Sequence, residues 1–317
     1  MNILITGSAG FIGYHIVNQL LKTNHKIYGC DSLISKSVKT QKKRLKLLKK
    51  SKKFEFKKLD LRNYTKFCHH YKKKKINLII HLAAQPGVRL SQENPLSTID
   101  QNIKAFINIL EFCKKEKIKH FFYASSSSVY GNSKKFKEKG VQLQVSSIYA
   151  ASKLSDEIFA SVYNYLYNIN TLSLRFFTVY GSYGREDMAY YKFLEQIKKM
   201  KKIYIYGSKK SERSFTYIDD VTKSIELLIY KYTKLKRYNE TFNIGNYRKN
   251  TLTDLIKNIK RFYSKNFREV IIQRNKADVL KTHSSTKKLK KSINYVPNTD
   301  LKIGIKKFVN WYKSQND

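Results

Sequence analysis

Two short segments near the middle of the chain carry side chains that together could catalyse proton transfer. Tyr149 and Lys153 are four residues apart, so on a helix they would lie on one face. A tyrosine ordinarily loses its proton near pH ~10, and a positive charge held beside it favours the phenolate, which is then a usable base. The hydroxyl-rich run at 125–131, just upstream, could supply a third catalytic group. Taken alone, the same spacing also fits two ordinary surface residues.

The N-terminal segment strengthens the catalytic interpretation, because it has the pattern of a phosphate-binding turn. A short apolar strand runs into three glycines spaced three apart, Gly7, Gly10 and Gly13, and then into a helical pattern over 11–21. Gly7 permits a tight turn, Gly10 lets a pyrophosphate approach the backbone, and Gly13 lets the helix pack close to the strand. The free N–H groups at the start of the helix would then face the phosphates.

An acidic residue follows at the position where a dinucleotide site needs one. A second strand, at 26–30, ends in Asp31, eighteen residues after Gly13. A carboxylate there accepts hydrogen bonds from an adenosine ribose and disfavours a 2′-phosphate, which favours NAD over NADP. Three glycines alone are a weak signal, whereas strand, glycines, helix, strand and acid in this order are a strong one.

The elements that would position these residues alternate along the first half of the chain. Helical patterns, notably 95–117 and 149–167, separate strand-like segments at 2–6, 26–30, 54–58, 78–82, 120–124 and 171–175. This alternation predicts an α/β fold with a doubly wound parallel sheet, which is a Rossmann domain over residues 1–175.

After about Phe176 the alternation changes. Short strand-like segments and helical patterns follow at 188–201, 203–206, 215–218, 219–232, 241–244 and 251–263. We expect residues 176–317 to form mainly a smaller mixed α/β substrate lobe, with some segments crossing back to the first domain.

The chain is unusually basic. Lysine and arginine number 64 against 23 aspartate and glutamate residues, which gives a formal net charge of +41. Such an excess of positive charge is typical of proteins that bind nucleic acid or an anionic membrane. However, 53 of the basic residues are lysine and 11 are arginine, whereas nucleic-acid recognition favours the bidentate fork of arginine. We therefore expect the basic runs at 41–53 and 72–75 to be solvated faces, with no specific nucleic-acid partner.

Cysteine usage and hydropathy bear on the compartment. Cys30, Cys68 and Cys113 are odd in number, far apart and without C-x-x-C spacing, which favours a reducing cytoplasm and predicts neither a metal site nor a disulfide framework. No run of about 18 apolar residues exists, and the pattern of a signal peptide is missing, so we expect no membrane span.

Further motifs lie along the whole chain. Besides the segments above, they are Asp60-Leu61, 81–89 (His-Leu-Ala-Ala-Gln-Pro-Gly-Val-Arg), 174–181 (Leu-Arg-Phe-Phe-Thr-Val-Tyr-Gly), 184–189, 213–220, 242–246 and Asp278-Val279. With these motifs the chain resembles, almost end to end, the extended short-chain dehydrogenase/reductases, and among them the NAD-dependent nucleotide-sugar epimerases. The Gly-Val-Arg segment, the serine run and the Phe-Phe-Thr-Val-Tyr-Gly segment together look most like the UDP-glucuronate 4-epimerases.

The resemblance implies a site for NAD and a catalytic trio. Tyr149 would be the acid/base, Lys153 would bind the nicotinamide ribose, and Ser126 matches the catalytic Ser/Thr of the family. The implied cofactor contacts are Gly7, Gly10, Phe11, Ile12 and Gly13 at the pyrophosphate, Asp31 at the adenosine ribose, Asp60 and Leu61 at the adenine, and Leu82, Ala83, Ala84, Gln85 and Asn102 along the channel. Two positions depart from the family pattern, Tyr14 where a serine is common and Ala277 where a glycine is common, and both bear on local packing.

The implied reaction inverts the sugar at C4. Tyr149 takes the proton of the 4-hydroxyl, hydride leaves C4 for NAD, the 4-keto sugar turns while held by its UDP, and hydride returns to the other face. Arg213 and Asp278 would face the UDP. A 4-keto uronic acid readily loses CO₂, so its carboxylate must be anchored, and the candidates are Ser127, Ser128, Thr178 and Arg185. The serine run could instead cap a strand end, and Arg185 could instead pair with Glu186 or Asp187.

Other functions remain as alternatives. A UDP-glucose/galactose 4-epimerase would need no carboxylate anchor. Dehydratases and uronate decarboxylases of this superfamily typically carry an acidic residue at the position of Ser128, so both of these activities are disfavoured. The non-enzymatic alternative is a basic protein that has the epimerase fold but only binds NAD or nucleic acid. The intact Ser126, Tyr149 and Lys153 disfavour it. Salt-dependent RNA binding without turnover would favour it. The family is usually dimeric, so we expect a homodimer that pairs the helices at 95–117 and 149–167.

Overall fold

The structure of the protein, a computed structural model, describes residues 1–34, 37–133, 135–139, 145–263, 265–273 and 281–315. The chain divides into two compact units. Unit 1 comprises Met1–Ser133, Gln142–Phe176 and Ile225–Phe242, and unit 2 comprises Lys134–Val141, Phe177–Ser224 and Asn243–Asp317.

A seven-stranded sheet forms the centre of unit 1. Its strands are β1 (Asn2–Thr6), β2 (Lys26–Asp31), β3 (Phe54–Lys58), β4 (Leu78–His81), β5 (His120–Ser126), β6 (Asn170–Phe176) and β11 (Asn239–Ile244). They lie in the order β11-β6-β5-β4-β1-β2-β3, and every neighbouring pair from β6 to β3 is parallel. The order reverses between β1 and β4, which is the switch point where Rossmann folds bind their ligands. The predicted doubly wound parallel sheet is confirmed.

Continuous apolar runs form the two central strands β1 and β4. Ile3, Leu4 and Ile5 of β1 and the corresponding run of β4 are fully buried. A parallel sheet that is covered on both faces needs such runs, whereas a half-exposed strand would alternate apolar and polar residues. The six predicted strands of this unit are all present, and their observed bounds differ from the predicted ones by at most two residues.

Helices surround this sheet. They are α1 (Phe11–Leu20), α2 (Val38–Leu48), α3 (Tyr64–Tyr71), α4 (Val88–Glu93), α5 (Pro95–Ile99), α6 (Ala105–Lys115) and α7 (Ile148–Tyr167). A π-helical turn, Asp100–Lys104, joins α5 to α6, so the predicted helix at 95–117 is one run with a local widening. A short 3₁₀ helix, Ser127–Tyr130, follows β5. The predicted helix at 149–167 is α7, which begins after Ser147 because that side chain accepts a hydrogen bond from Ala150 N at 3.1 Å.

Unit 2 contains short strands and longer helices. The strands pair as β7 (Thr178–Tyr180) with β10 (Phe215–Tyr217), β8 (Lys202–Tyr206) with β13 (Arg268–Ile272), and β9 (Glu212–Arg213) with β12 (Asn250–Thr251). The remaining helices of the chain are α8 (Ala189–Met200), α9 (Ile218–Tyr232), α10 (Leu252–Tyr263), α11 (Lys287–Ile293) and α12 (Leu301–Ser314), and α9 belongs to unit 2 only as far as Ser224. The predicted strand-like and helical segments of this half are present, while β7, β9, β12, β13, α11 and α12 were not predicted.

A buried carboxylate orders the C-terminal part of unit 2. Asp220, near the start of α9, accepts hydrogen bonds from Tyr295 Oη at 2.8 Å, Asn298 N at 3.1 Å and Thr299 N at 2.8 Å. These contacts fix the segment that leads into α12, whose apolar face packs against α10.

The basic run at 41–53 lies on α2 and the turn after it. Lys42, Lys43 and Lys46 are exposed, while Arg44 and Leu45 on the other face are buried. This distribution is that of a solvated helix face. No helix in the described ranges combines the length and apolarity that a membrane crossing requires.

Candidate active site

The glycine turn after β1 has the close contacts that its spacing predicts. Gly7 has a φ of +68°, and a Cβ there would lie 2.7 Å from Ala83 N. A Cβ on Gly13 would lie 2.1 Å from Gly7 O, so α1 can approach the turn only because residue 13 is glycine. Gly10 occupies the N-cap of α1 without a capping side chain. Phe11 and Ile12 then begin the helix, and the turn is open to an anion at its N-terminus.

Asp31 ends β2 beside this turn. Its Oδ2 accepts a hydrogen bond from Ala9 N at 3.3 Å, and its Oδ1 accepts from Leu33 N at 3.0 Å and from Gln41 Nε2 at 3.3 Å. Burial raises the pKa of the carboxyl, and these hydrogen bonds act against that change. The acid predicted to bind a ribose is therefore held in one orientation next to the glycines.

The loop after β4 is anchored to the end of β1. Thr6 Oγ1 accepts the N–H groups of Leu82 at 3.2 Å and Ala83 at 3.3 Å, and it lies 2.8 Å from His81 Nδ1. Because both N–H groups donate to Oγ1, we assign the hydroxyl proton to the bond with Nδ1, which makes His81 neutral. Burial, together with the charge of Lys153, lowers the pKa of His81 to about 3.

Asn102 connects this loop to α7. It is fully buried in the π-helical turn, accepts Gln85 N at 2.7 Å and donates to Ser152 Oγ at 3.0 Å. Ser152 Oγ in turn donates to Tyr149 O at 2.8 Å. A π turn inside an α-helix redirects a side chain and is frequent at functional sites. Gln85 and Asn102, both predicted cofactor contacts with Leu82, Ala83 and Ala84, are thus linked to the backbone of the predicted acid/base.

The first two turns of α7 carry the predicted proton-transfer pair. Tyr149 is partly buried, and its backbone N–H donates to Ser91 Oγ at 3.1 Å. Lys153, one turn later, is only 1% exposed. Its Nζ donates to Asp156 Oδ2 at 2.8 Å. Sequence reasoning missed Asp156, although its position three residues after Lys153 on a helix is the signal that would find it.

Ser126 lies at the last position of β5 and caps the following 3₁₀ helix. Its Oγ accepts hydrogen bonds from Ser128 N at 3.1 Å and from Ser128 Oγ at 2.9 Å. Ser126 is therefore the cap of this helix, and the Ser128 side chain is one of its hydrogen-bond donors. Ser127 is the first residue of the 3₁₀ helix, and α7 packs against both β5 and this helix. The three predicted catalytic residues thus belong to elements of unit 1 that are in direct contact.

A buried network behind these elements fixes their mutual position. Glu157 of α7 accepts Arg175 Nε at 2.8 Å and Nη2 at 2.6 Å, and it also accepts Ser125 Oγ at 2.6 Å. Arg175 Nη1 donates to Tyr130 Oη at 2.9 Å. The network joins α7, β5, β6 and the 3₁₀ helix. Sequence reasoning missed it, because nothing local indicates that Glu157 and Arg175 meet.

The two residues predicted at the adenine follow β3. Asp60 forms a bidentate pair with Arg62, with Nε at 3.0 Å from Oδ1 and Nη2 at 2.6 Å from Oδ2. The hydrogen bonds from Arg62 lower the pKa of Asp60. Leu61 is buried, and its carbonyl accepts Asn108 Nδ2 at 2.8 Å.

The predicted sugar and UDP contacts at Thr178, Arg185 and Arg213 lie in unit 2. Thr178 begins β7 and is partly buried. Arg185 forms a bidentate pair with Asp187, with Nε at 2.9 Å from Oδ1, so Asp187 is an acidic partner of this arginine. Arg213 ends β9, and its Nη1 donates to Glu212 O at 2.8 Å. Asp278 lies outside the described residues.

The residues of unit 1 fit a dinucleotide. Two glycines stand where a side chain would fill the turn, a helix N-terminus opens at that turn, and a carboxylate is fixed at the end of the neighbouring strand. These are the features that accept a pyrophosphate and an adenosine ribose. No cluster of potential metal ligands occurs within the described parts of the chain.

Comparison with known proteins gives one consistent family. The sequence model of the NAD dependent epimerase/dehydratase family matches residues 3–245. An uncharacterized protein of Methanocaldococcus jannaschii is 39% identical over 321 residues, which cover 100% of this chain and 97% of that protein. A UDP-glucuronate 4-epimerase of Thermodesulfobacterium geofontis is 36% identical over 317 residues, which cover 98% and 95% of the two chains.

A solved structure extends the similarity to three dimensions. The crystal structure of UDP-glucuronic acid 4-epimerase from Bacillus cereus, in complex with UDP-glucuronic acid and NAD, superimposes with a TM-score of 0.92 at 29% identity. The match covers 99% of this chain and 100% of that one. The chain belongs to the NAD-dependent epimerase/dehydratase family.

Proposed function

We propose that this member of the family is an NAD-dependent nucleotide-sugar 4-epimerase that interconverts UDP-glucuronate and UDP-galacturonate. The observation that carries the proposal is the arrangement in unit 1, where the elements of Ser126, Tyr149 and Lys153 pack together and Asn102 ties the loop after β4 to α7. Relatives that match nearly the whole chain carry the same activity in their names, which supports the choice of sugar.

Different residues of the chain would carry out different parts of the reaction. Tyr149 takes the proton of the sugar 4-hydroxyl and later returns it, while the ammonium of Lys153 favours the ionised phenol. Ser126 Oγ hydrogen-bonds the same sugar oxygen and orients it. NAD, when bound by the glycine turn and Asp31, supplies a reversible hydride acceptor for C4. The catalytic contribution of the protein is placement and the tuning of proton affinity.

A carboxylate on the sugar is the property that Thr178 and Arg185 would recognise. A guanidinium grips a carboxylate through two parallel hydrogen bonds. Arg185 already holds a carboxylate in this way, that of Asp187, so its side chain is arranged for such a ligand. We propose that the substrate carboxylate takes the place of Asp187 during turnover, with Thr178 of the same unit as an additional hydrogen-bond donor.

The same pairing favours one alternative. If Arg185 stays with Asp187, the site lacks its main carboxylate anchor, and the protein would act on UDP-glucose and UDP-galactose. The purified protein should therefore be incubated separately with UDP-glucuronate and with UDP-glucose, and the products identified by chromatography. We expect conversion of the uronate to be faster by at least about tenfold, the effect of one charge-assisted hydrogen bond. A preference for UDP-glucose would establish the alternative.

We also propose that the protein acts as a homodimer. One face of α7 exposes apolar side chains four residues apart, at Ile158, Val162 and Leu166. On α5, Leu96 and Ile99 are exposed. Such an apolar stripe on the two helices that the resemblance assigns to the interface suits a second copy of the chain. Light scattering coupled to gel filtration measures the mass, and substituting Ile158 and Leu166 by glutamate should produce monomers.

A cytoplasmic location is the compartment that we propose. Cys30, Cys68 and Cys113 are all buried and free, which suits a reducing environment. Fractionation of cells that produce the protein would test this location.

A further inference from the structure

The catalytic helix holds an ion pair that is sealed from solvent. Lys153 Nζ lies 2.8 Å from Asp156 Oδ2, and the two side chains are 2% and 0% exposed. The cost of removing two charges from water offsets most of their attraction, so such a pair is a poor device for stability alone. Lys153 belongs to the proposed proton-transfer machinery, and Asp156 is the acid that holds its ammonium.

Among the described residues, only one oxygen of the Asp156 carboxylate has a hydrogen-bond partner. Its Oδ1 is buried and has no hydrogen-bond partner among the described residues. A buried carboxylate oxygen without a donor is costly, because its lost hydration is not replaced. Burial raises the pKa of Asp156 to about 6, and Lys153 opposes this change. The acid therefore depends on the lysine for its ionised form, and the lysine on the acid for its fixed position.

The other ionisable groups around the pair do not replace either partner. Glu157, the next residue on α7, is occupied by Arg175 from β6 through two hydrogen bonds. His81 of β4 is neutral, since burial lowers its pKa to about 3. On β5, burial raises the pKa of Tyr123 well above its usual value, so this phenol is neutral as well. Asp156 is thus the carboxylate that offsets the charge of Lys153.

We propose that Asp156 is a positioning residue for the Tyr149–Lys153 pair, which fixes the ammonium on α7 and offsets part of its charge, and thereby sets how readily Tyr149 releases and regains its proton. The proposal rests on the epimerase function given above. A reversible epimerisation needs Tyr149 as a base in one half of the reaction and as an acid in the other. Proton transfer is most efficient when the group's proton affinity matches the working pH. An ammonium without a counter-charge would favour the phenolate too strongly for the return step.

The decisive variant is Asp156→Asn, which keeps the size of the side chain and an acceptor for Lys153 but removes the negative charge. We expect the acid limb of the pH profile of kcat/KM to move to lower pH by about one unit, the size expected when one nearby charge is removed. We also expect kcat to fall, because the return of the proton becomes harder. Glu116→Gln removes the same charge from unit 1 outside this site and should leave the profile unchanged.

A second measurement needs no substrate. Phenolate absorbs in the near ultraviolet, so titration of the purified holoprotein, with Tyr149→Phe as the background to subtract, follows the ionisation of Tyr149 alone. The midpoint should shift downward in Asp156→Asn by the same amount as the acid limb. If the parent protein converts no UDP-sugar, the proposed function fails, while the absorbance titration still decides the role of Asp156.

Two outcomes would overturn the proposal. One is an Asp156→Asn protein with reduced kcat but an unchanged acid limb and an unchanged absorbance midpoint, since that pattern describes a structural residue. The other concerns Asp156→Glu, which keeps the charge and serves if the asparagine variant does not fold. Its acid limb should stay within about 0.3 pH units of the parent, and a displacement of a full unit would contradict the proposal.

Discussion

The predicted cofactor contacts and the predicted sugar contacts are held in different ways. In unit 1, the predicted contacts Asp31 and Asn102 are buried, as is Thr6, which anchors the predicted contacts after β4. Each of the three makes at least two hydrogen bonds to a loop or helix at the end of the parallel sheet. In unit 2, Arg185 and Asp187 form an ion pair whose side chains are 33% and 58% exposed. An exposed pair contributes little stability, about 0–1 kcal/mol, so a competing carboxylate can replace one partner.

This difference suits the roles that we propose for the two regions. A cofactor that stays bound through many turnovers benefits from a site that is ordered in advance, because no conformational entropy is then lost in ordering its side chains when the cofactor binds. A substrate that must enter, turn and leave benefits from contacts that exchange. The predictions that follow test each side of this comparison, from the largest expected effect to the smallest.

Tyr149→Phe removes the proposed proton acceptor and should reduce turnover by about 10²–10⁴-fold. Binding of the UDP-sugar should change by no more than a few fold, because the aromatic ring and its packing remain. The measurement is steady-state kinetics together with calorimetric titration of the UDP-sugar. Tyr165→Phe is the matched control, since it makes the same change at an exposed position of α7. Retention of most of the activity would show that Tyr149 has been assigned wrongly.

Arg185→Gln removes the proposed carboxylate anchor in unit 2. We expect KM for UDP-glucuronate to rise roughly 10- to 150-fold, the cost of a lost charge-assisted hydrogen bond, and some 4-keto intermediate to decarboxylate to a UDP-pentose. Product analysis by chromatography detects the pentose. Arg248→Gln, in an exposed arginine–aspartate pair of the same unit, is the control.

The pairing seen in the structure sharpens this test. Asp187→Asn removes the competing carboxylate, so it should leave KM for UDP-glucuronate unchanged or lower it. If both Arg185→Gln and Asp187→Asn raise KM equally, the ion pair itself is required, and Thr178 remains as the anchor.

Asp31→Ala tests the predicted NAD site of unit 1. Loss of the carboxylate should weaken NAD binding by roughly tenfold or more and narrow the preference over NADP, because the acid that disfavours a 2′-phosphate is gone. At saturating NAD, kcat should stay within a few fold of the parent. Asp100→Asn, an exposed acid of the same unit, is the control. Equal or better activity of the unmodified protein with NADP would refute the assignment of Asp31.

The last prediction concerns stability rather than activity, namely the pH dependence of the free energy of unfolding. His81 is neutral in the folded protein with a pKa lowered to about 3, whereas a histidine of the unfolded chain takes up a proton below about pH 6.5. Its contribution to stability is therefore present above pH 6.5 and is lost as the pH falls toward 3, by about 1.4 kcal/mol per pH unit. Urea unfolding of His81→Gln between pH 7.5 and 4.5 should show a slope shallower by this amount. His69→Gln, an exposed histidine, should keep the parent slope.

Local sequence patterns determined most of the elements and part of the candidate site. The glycine spacing led directly to the contacts of Gly7 and Gly13, because close approach of a helix to a turn depends on whether a Cβ is present. The helical spacing of Tyr149 and Lys153 likewise needs only the geometry of one helix. Strands β1 and β3 were predicted at their observed bounds. β1 is a continuous buried apolar run, whereas β3, at the edge of the sheet, alternates apolar and polar residues at Phe54, Glu55 and Phe56.

Only the tertiary structure decided which distant side chains meet. The bonds of Glu157 with Arg175 and of Asn102 with Ser152 join residues 18 and 50 positions apart, and no local pattern encodes them. The structure also paired Arg185 with Asp187, and it buried the pair of Asp156 and Lys153 in the interior. The two-residue strands β9 and β12 were missed because they are too short to show a period. Backbone patterns depend on neighbours along the chain, whereas burial and pairing depend on how whole elements pack, and that packing sets the charges around the proposed catalytic pair.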